Sequence, residues 1–400
     1  MDPITFLLII AFAWFTLHTI SRIPWFSVKN PSIGLGYAMY RTTRLNQLID
    51  RLASKGKVGW KFVFDIGIVS GIGILLIGLL IFTINIPLFF LPPSDGTNGG
   101  TAIVVTPVIP GITVSLQSLP YFFVAIMIGA AVHEFAHGIA ARVEGVELKS
   151  TGLFVFFVLF GAFVEPDEQS LNSKSRRAVM RIMAAGALSN MLVAGFFFLI
   201  LLIPQAFPLL ITPLYQPEPE GALIIETIPE NPAALAGLKP GYAIVRIESS
   251  SKEYIIRSVN DFHSFVDTAV FPNQTLTFHF ANPDILPITL QTIPRSDNTS
   301  KGFIGVRTWE FFPPRFFAAS VFLNLIPYWL FNCVLYIFTI NLMLAIMNLL
   351  PIPFLDGDKL LASYLGPRFR QHLSLVRYFA LGVLLANLLF SFYFNGWQSI

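Results

Sequence analysis

Six long apolar stretches, at residues 3–20, 64–91, 120–141, 180–203, 320–347 and 374–394, dominate the chain. Each is long enough, or nearly so, to cross a hydrocarbon core about 30 Å thick as a helix. Together they predict an α-helical polytopic membrane protein of about six transmembrane helices. The first follows Met1-Asp2-Pro3, which lacks the basic n-region of a cleaved signal peptide, so it reads as a retained helix. Two segments break this pattern. Gly152 to Val164 (GLFVFFVLFGAFV) is apolar, too short to cross, and rich in Phe and Val, which predicts a re-entrant β-hairpin dipping into the membrane from the inside. Backbone at that depth must be covered by protein or line a wet cavity. Residues 220–310 instead hold short alternating runs, such as Ala222-Leu-Ile-Ile and Tyr242-Ala-Ile-Val-Arg-Ile, broken by Pro229, Pro232, Gly237, Pro240 and Gly241. That pattern predicts a small β-rich domain, with the Pro-rich stretch Pro213 to Pro219 as its linker. The chain therefore divides into a two-helix membrane region at 1–119, membrane cores at 120–204 and 319–400, and the β-rich insert between them.

Composition agrees: 54% of residues are hydrophobic, 12% are charged, and mean hydropathy is +0.67. A soluble protein so built could not cover its surface with polar groups, so the lipid bilayer is its main solvent. A formal charge of +3, without basic clusters interleaved with aromatics, excludes a nucleic-acid partner. Cys333 is the only cysteine, which excludes an internal disulfide framework and a Cys-rich metal site. Charge placement then orients the spans. Residues 21–63 hold eight basic residues against the single acidic Asp50, whereas 92–119 hold no Lys or Arg. Basic residues return after the third span (Arg142, Lys149, Lys174, Arg176, Arg177) and after the fifth (Lys359, Arg368, Arg370, Arg377). By the positive-inside rule these loops are cytoplasmic, and both termini and the insert lie outside.

The chemistry centres on His133-Glu134-Phe135-Ala136-His137 in the third span. Residues four apart on a helix lie about 40° apart around the axis and about 6 Å along it. Two imidazoles so placed can bind one tetrahedral zinc, with Glu134 in reach of the water such a metal activates. Ionisable side chains deep in a span are expensive, and metal binding gives three of them within five residues a reason to be there. A catalytic zinc needs a third protein ligand. Asp356, in Asn348-Leu-Leu-Pro-Ile-Pro-Phe-Leu-Asp-Gly-Asp358, sits where two prolines unwind the fifth span at the cytoplasmic end, level with the histidines. Asp358 is the neighbouring competitor and reads as a supporting or capping group, and Asp65 as a solvated helix-start residue.

HEFAH in a membrane helix, followed far downstream by NLLPIPFLDG, resembles the site-2 protease family of intramembrane zinc metalloproteases. The stretches Gly161-Ala-Phe-Val-Glu165-Pro and Gly186-Ala-Leu-Ser-Asn190 look similar too, and the likeness runs from about residue 120 to 360. It implies that His133, His137 and Asp356 bind one Zn2+ per chain, that Glu134 is the catalytic base, and that Asn190 and Asn348 lie near the substrate strand or the oxyanion. It further implies substrates that are membrane proteins with a transmembrane helix, cleaved toward the cytoplasmic side. The insert is similar to PDZ domains at Asn231-Pro-Ala-Ala-Leu-Ala-Gly-Leu-Lys-Pro-Gly-Tyr242, although Tyr242 stands where that pattern has Asp. Two alternatives stand beside this reading. A prenyl-protein processing peptidase also uses His-Glu-x-x-His but takes its third ligand from a later Glu or His. A metal transporter or non-proteolytic metal-binding scaffold would place several ionisable residues across different spans.

Overall fold

The computed structural model describes residues 3–21, 31–34, 36–91, 102–109, 111–157, 159–249, 252–316 and 320–396. Residues 1–2, Arg22 and Lys29, used above for the signal-peptide and charge readings, lie outside these. Two compact units emerge, one of residues 1–198 with 336–400 and the other of residues 199–335.

The first unit opens with the apolar helix α1 (Pro3–Ser21), then strands β1 (Pro31–Gly34) and β2 (Tyr37–Thr42), then the short amphipathic helix α2 (Arg44–Ser54). Helices α3 (Lys57–Leu88) and α4 (Leu119–Val143) follow, and then the hairpin β3 (Leu148–Phe156) and β4 (Leu159–Pro166). After α5 (Glu168–Asn172) comes α6 (Arg176–Leu202), which runs on into the second unit. That unit contains α7 (Ala206–Ile211), β5 (Ala222–Thr227), α8 (Pro232–Leu235), β6 (Ala243–Ser249), β7 (Lys252–Ile255) and α9 (Val259–Ala269). It continues with β8 (Thr275–Phe280), β9 (Ile288–Gln291), β10 (Ile293–Pro294), β11 (Gly302–Phe303) and β12 (Val306–Glu310). Helix α10 (Val321–Asn348) leads back to the first unit, which ends with α11 (Asp356–Asn395).

Among the described residues, five helical segments are long and apolar enough to cross a membrane: α3, α4, α6, α10 and Gln371–Phe394 of α11. Their outer faces expose large apolar side chains such as Leu76, Leu80, Phe196, Met343 and Leu389. Water would penalise such a surface, and lipid does not, so this is a multi-pass membrane protein. Association in lipid relies on close packing and on polar contacts between helices. Helix α3 supplies the first through Gly67 and Gly71, which let Leu188 and Ala184 of α6 and Leu360 of α11 approach. The second joins α3 to α11, where Asn85 Nδ2 donates to Asn387 Oδ1 at 2.7 Å and Asn387 Nδ2 to Phe82 O. At one end of the bundle Asp65 of α3 accepts from both Arg177 and Arg181 of α6, and Arg181 also reaches Glu144 after α4 at 2.9 Å. Asp65 is thus an ion-paired anchor for three helices and not the solvated helix-start residue its sequence position suggests.

The hairpin expected at 152–164 is present and longer, and it belongs to a four-stranded antiparallel sheet in the order β1-β2-β3-β4. Register runs Tyr37↔Phe156 to Thr42↔Thr151 on one side of β3 and Phe156↔Leu159 to Leu148↔Pro166 on the other. Trp14 of α1 donates its Nε1–H to Phe157 O at the hairpin tip, 2.7 Å away. Beneath the sheet α2 rests on α4, its Asn46 side chain donating to Leu148 O and its Ile49 fully buried against Gly138.

In the second unit the strands form an antiparallel sheet in the order β12-β5-β6-β8-β9, with β7 paired to β6. Ile224, Ile244, Ile247, Leu276 and Phe278 of the sheet and Phe262 and Phe265 of α9 form its core. Ser258 caps α9 by accepting from Asp261 N–H, and Asp261 accepts from Arg257 N–H in return. Gly241 must lack a side chain, because its φ is +91° and a Cβ would strike the Val321 carbonyl at the start of α10. Tyr242 packs on Phe280 with ring centroids 5.1 Å apart.

Candidate metal centre and active site

His133 and His137 lie one helical turn apart on α4, with ring centroids separated by 4.7 Å and Nε2 atoms by 3.1 Å. Asp356 enters from the first residue of α11, and its Oδ2 is 3.0 Å from the Nε2 of each histidine. Asp356 follows the histidines by more than 200 positions, so the triad exists only through tertiary structure. Local chain geometry explains its arrival. After α10 ends at Asn348, the Pro351 and Pro353 stretch cannot continue a helix, Phe354 turns at φ 78°, and Leu355 is extended. Gly357 then packs directly on the end of α10, where a Cβ would collide with the Leu349 carbonyl. Pro and Gly thus fold the chain back so that the carboxylate meets the imidazoles.

The far nitrogens of both rings are held. His137 Nδ1 is 2.7 Å from Ile182 O of α6. A carbonyl only accepts, so Nδ1 bears the proton and Nε2 keeps its lone pair. His133 Nδ1 is 3.2 Å from the side-chain amide of Asn190, which is fully buried. In this amide orientation Asn190 Oδ1 has no partner. Turned by half a turn, the amide would place Oδ1 on the His133 Nδ1 proton. Both Nε2 lone pairs then point, with Asp356 Oδ2, at one spot. Three acceptors 3.0–3.1 Å apart repel one another unless a cation or proton lies between them. Ligands of a tetrahedral zinc at 2.0–2.1 Å would be about 3.3 Å apart, so two imidazoles and one carboxylate at this spacing fit Zn2+.

Gly186 of α6 keeps the centre open. A Cβ there would lie 2.6 Å from His133 Nε2 and collide with His137 Nε2. Glu134 faces the same cleft, which encloses about 160 Å³ between Glu134, His137, Val164, Ile182, Asp356 and Lys359. Its Oε2 accepts from Val164 N–H of β4 at 2.9 Å, fixing the carboxylate beside that strand.

Of the six site residues that the sequence singles out, four, His133, Glu134, His137 and Asp356, are brought together by the structure. Asn190 stands behind His133, its amide 3.2 Å from Nδ1, and Asn348 is the last residue of α10. Asp358 is committed elsewhere, taking Arg377 Nε and Nη2 at 2.5 and 2.7 Å. The Ile182 carbonyl was invisible in the sequence, since every residue carries one. Gly186 had a signal, the Gly-Ala-Leu-Ser-Asn stretch, but no means of telling that it faces the imidazoles.

Comparison with known proteins agrees with this geometry. Over 212 residues the chain is 26% identical to an Arabidopsis thaliana protein named membrane-bound transcription factor site-2 protease homolog, a match covering 53% of this chain and 39% of that one. The chain thus spans about two fifths of that relative. It is also 28% identical over 367 residues to an uncharacterized protein of Methanocaldococcus jannaschii, covering 89% of this chain and 84% of the other. Residues 121–390 match Peptidase family M50, a span that begins on α4 just before the histidines and takes in Asp356. With more than half of the chain inside that match, the protein belongs to Peptidase family M50, the site-2 protease family.

Proposed function

We propose that the protein is an intramembrane zinc endopeptidase that hydrolyses peptide bonds within or near transmembrane segments of other membrane proteins. The observation that carries this reading is the meeting of His133, His137 and Asp356, acceptor to acceptor at 3.0–3.1 Å, on the cleft that Glu134 also faces. His133, His137 and Asp356 would hold one Zn2+ per chain. When bound, zinc supplies Lewis acidity, polarising the scissile carbonyl and making water a stronger acid.

The remaining roles fall to this chain's own groups. Glu134 takes a proton from the attacking water and returns it to the leaving nitrogen. Val164 N–H holds that carboxylate in place, and Ile182 O and Asn190 fix the two imidazoles in the tautomer that turns Nε2 inward. Asn348, at the end of α10, is assigned to the substrate side. A helical substrate shields its own peptide bonds and must unwind. Strand β4 ends its sheet, so the unwound segment can add along it.

The topology we favour has six spans, α1 included, with both termini and the insert outside and the hairpin entering from the cytoplasmic side. Lys359 on the cleft suits a water path from that side. The insert is assigned as PDZ-like. Its groove between α9 and residues 302–306, which lead into the edge strand β12, is about 270 Å³ in volume and suits an extended peptide. A metal carrier fits less well: other ionisable groups at the spans, Asp65 with Arg177 and Arg181 and Asp358 with Arg377, are paired with one another and mark no path.

The test uses purified protein and single-span substrates. Cleavage is expected with the native protein and none with a zinc chelator. Glu134→Gln should keep its zinc by elemental analysis while losing at least about 100-fold in cleavage rate. Cleavage undiminished in that variant would reject the base assignment. Asp356→Ala should lose bound zinc.

A further inference from the structure

Next to the metal cleft lies a second cavity of about 270 Å³ that shares Glu134 and Val164 with it as a common wall. Elsewhere its lining is almost entirely apolar, including Phe135 of α4, Leu153 and Phe163 of the hairpin, and Leu45 and Ile49 of α2. Helix α2 lies outside residues 121–390, the part of the chain that matches the family. Its placement is nevertheless fixed. Asn46 Nδ2 donates to Leu148 O at 3.2 Å, Trp60 Nε1 donates to Leu52 O at 3.0 Å, and Ile49 is fully buried. Leu45, 44% exposed, stands on this wall within reach of solvent or lipid.

We infer that this cavity receives one substrate side chain beside the scissile bond, and that α2 makes it select a branched or aromatic apolar residue. The inference rests on the endopeptidase reading. An extended substrate advances about 3.3 Å per residue and turns successive side chains to opposite faces. With its carbonyl in the metal cleft, a neighbouring side chain therefore lies within one strand step of the shared Glu134–Val164 wall. On the other side of that wall is an apolar space large enough for Leu or Phe. Alanine would leave most of it unfilled, and an acidic side chain would be desolvated against the Glu134 carboxylate. An apolar pocket of this kind discriminates by size, about 10- to 200-fold per methylene at best.

The experiment varies the two residues flanking the mapped cut in a single-span substrate among Ala, Leu, Phe and Asp. It compares native protein with Leu45→Ala and Leu45→Trp, with bound zinc and melting temperature recorded for each. The native protein should cleave the Leu or Phe substrate at least about 10-fold faster than the Ala substrate at one flanking position. Leu45→Trp should shift that ratio toward Ala, and Leu45→Ala should shift it toward Phe. Should the Trp variant not fold, the Ala variant decides alone. Cleavage ratios unchanged from the native protein in every folded variant at both positions would overturn the subsite and leave the cavity to a lipid chain. No cleavage of any substrate by zinc-loaded native protein would reject the endopeptidase reading itself.

Discussion

At the scale of single residues, the proposed metal centre depends on an absence as much as on the three side chains that meet there. Gly186 faces both Nε2 atoms, and one added methyl would occupy the space between them. Gly186→Ala should therefore lower zinc affinity by about 10- to 100-fold, the range seen when groups around metal ligands are altered, with cleavage falling in parallel. Competitive chelator titration of the purified variant measures this. Gly195→Ala is the matching control, because nothing lies within 4 Å of a Cβ built there on the same helix; its zinc affinity should equal the native value. The three side chains that meet there, proposed as the ligands, could be picked out in the sequence because metal chemistry restricts residue type and spacing, and HEFAH and LDG obey those restrictions. What supports them was less legible. Asn190 was picked out through the Gly-Ala-Leu-Ser-Asn likeness as lying near the substrate or oxyanion, and its hydrogen-bond distance to His133 could not be read from the chain.

At the scale of elements, the long apolar helices were readable because twenty apolar residues in a row have few other uses, and the hairpin because its Phe and Val run is too short to cross. Strands β1 and β2 were not read. Their residues are neither uniformly apolar nor strictly alternating; β2 becomes a strand by pairing with β3, more than 100 positions away, and β1 by pairing with β2. The break in α11 was also missed. Helical residues flank it on both sides, yet Gly366 sits at φ 68° and Pro367 follows, so a short helix bearing Asp356 and Asp358 joins the membrane-crossing segment at a kink. Arg377 reaches back across that kink to Asp358, which is 10% exposed at its side chain against 36% for Arg377. Removing the cation alone strands a buried carboxylate. Arg377→Ala should thus cost about 2 kcal/mol, toward the low end for such a loss since half of the pair meets solvent. The double variant Asp358→Ala with Arg377→Ala should recover most of that loss. Thermal unfolding in detergent distinguishes these outcomes, and a double variant no better than the single would place the stabilisation in Arg377 packing rather than in the pair.

At the scale of the whole molecule, every group that builds the metal centre comes from one compact unit: His133, Glu134, His137, Val164, Ile182, Gly186, Asn190 and Asp356 all fall within residues 1–198 or 336–400. The β-rich insert belongs to the other unit, and its first and last strands pair side by side, Ala222 opposite Glu310, so the chain enters and leaves it at neighbouring points. A domain attached by adjacent ends can be excised without stretching what remains. Replacing residues 222–310 with a short Gly-Ser linker should therefore leave zinc content per chain unchanged and preserve Glu134-dependent cleavage of a short single-span substrate. Discrimination is expected to change instead. A substrate carrying a bulky folded domain on its outer side should be cut more slowly than the short one by the native protein, and the gap should narrow in the excised variant if the insert screens by size. The cut position, which the proposed function assigns to the cleft and β4 of the retained unit, should stay where it was. Loss of bound zinc on excision would mean that the insert holds the metal helices together, because no ligand or imidazole partner has been removed.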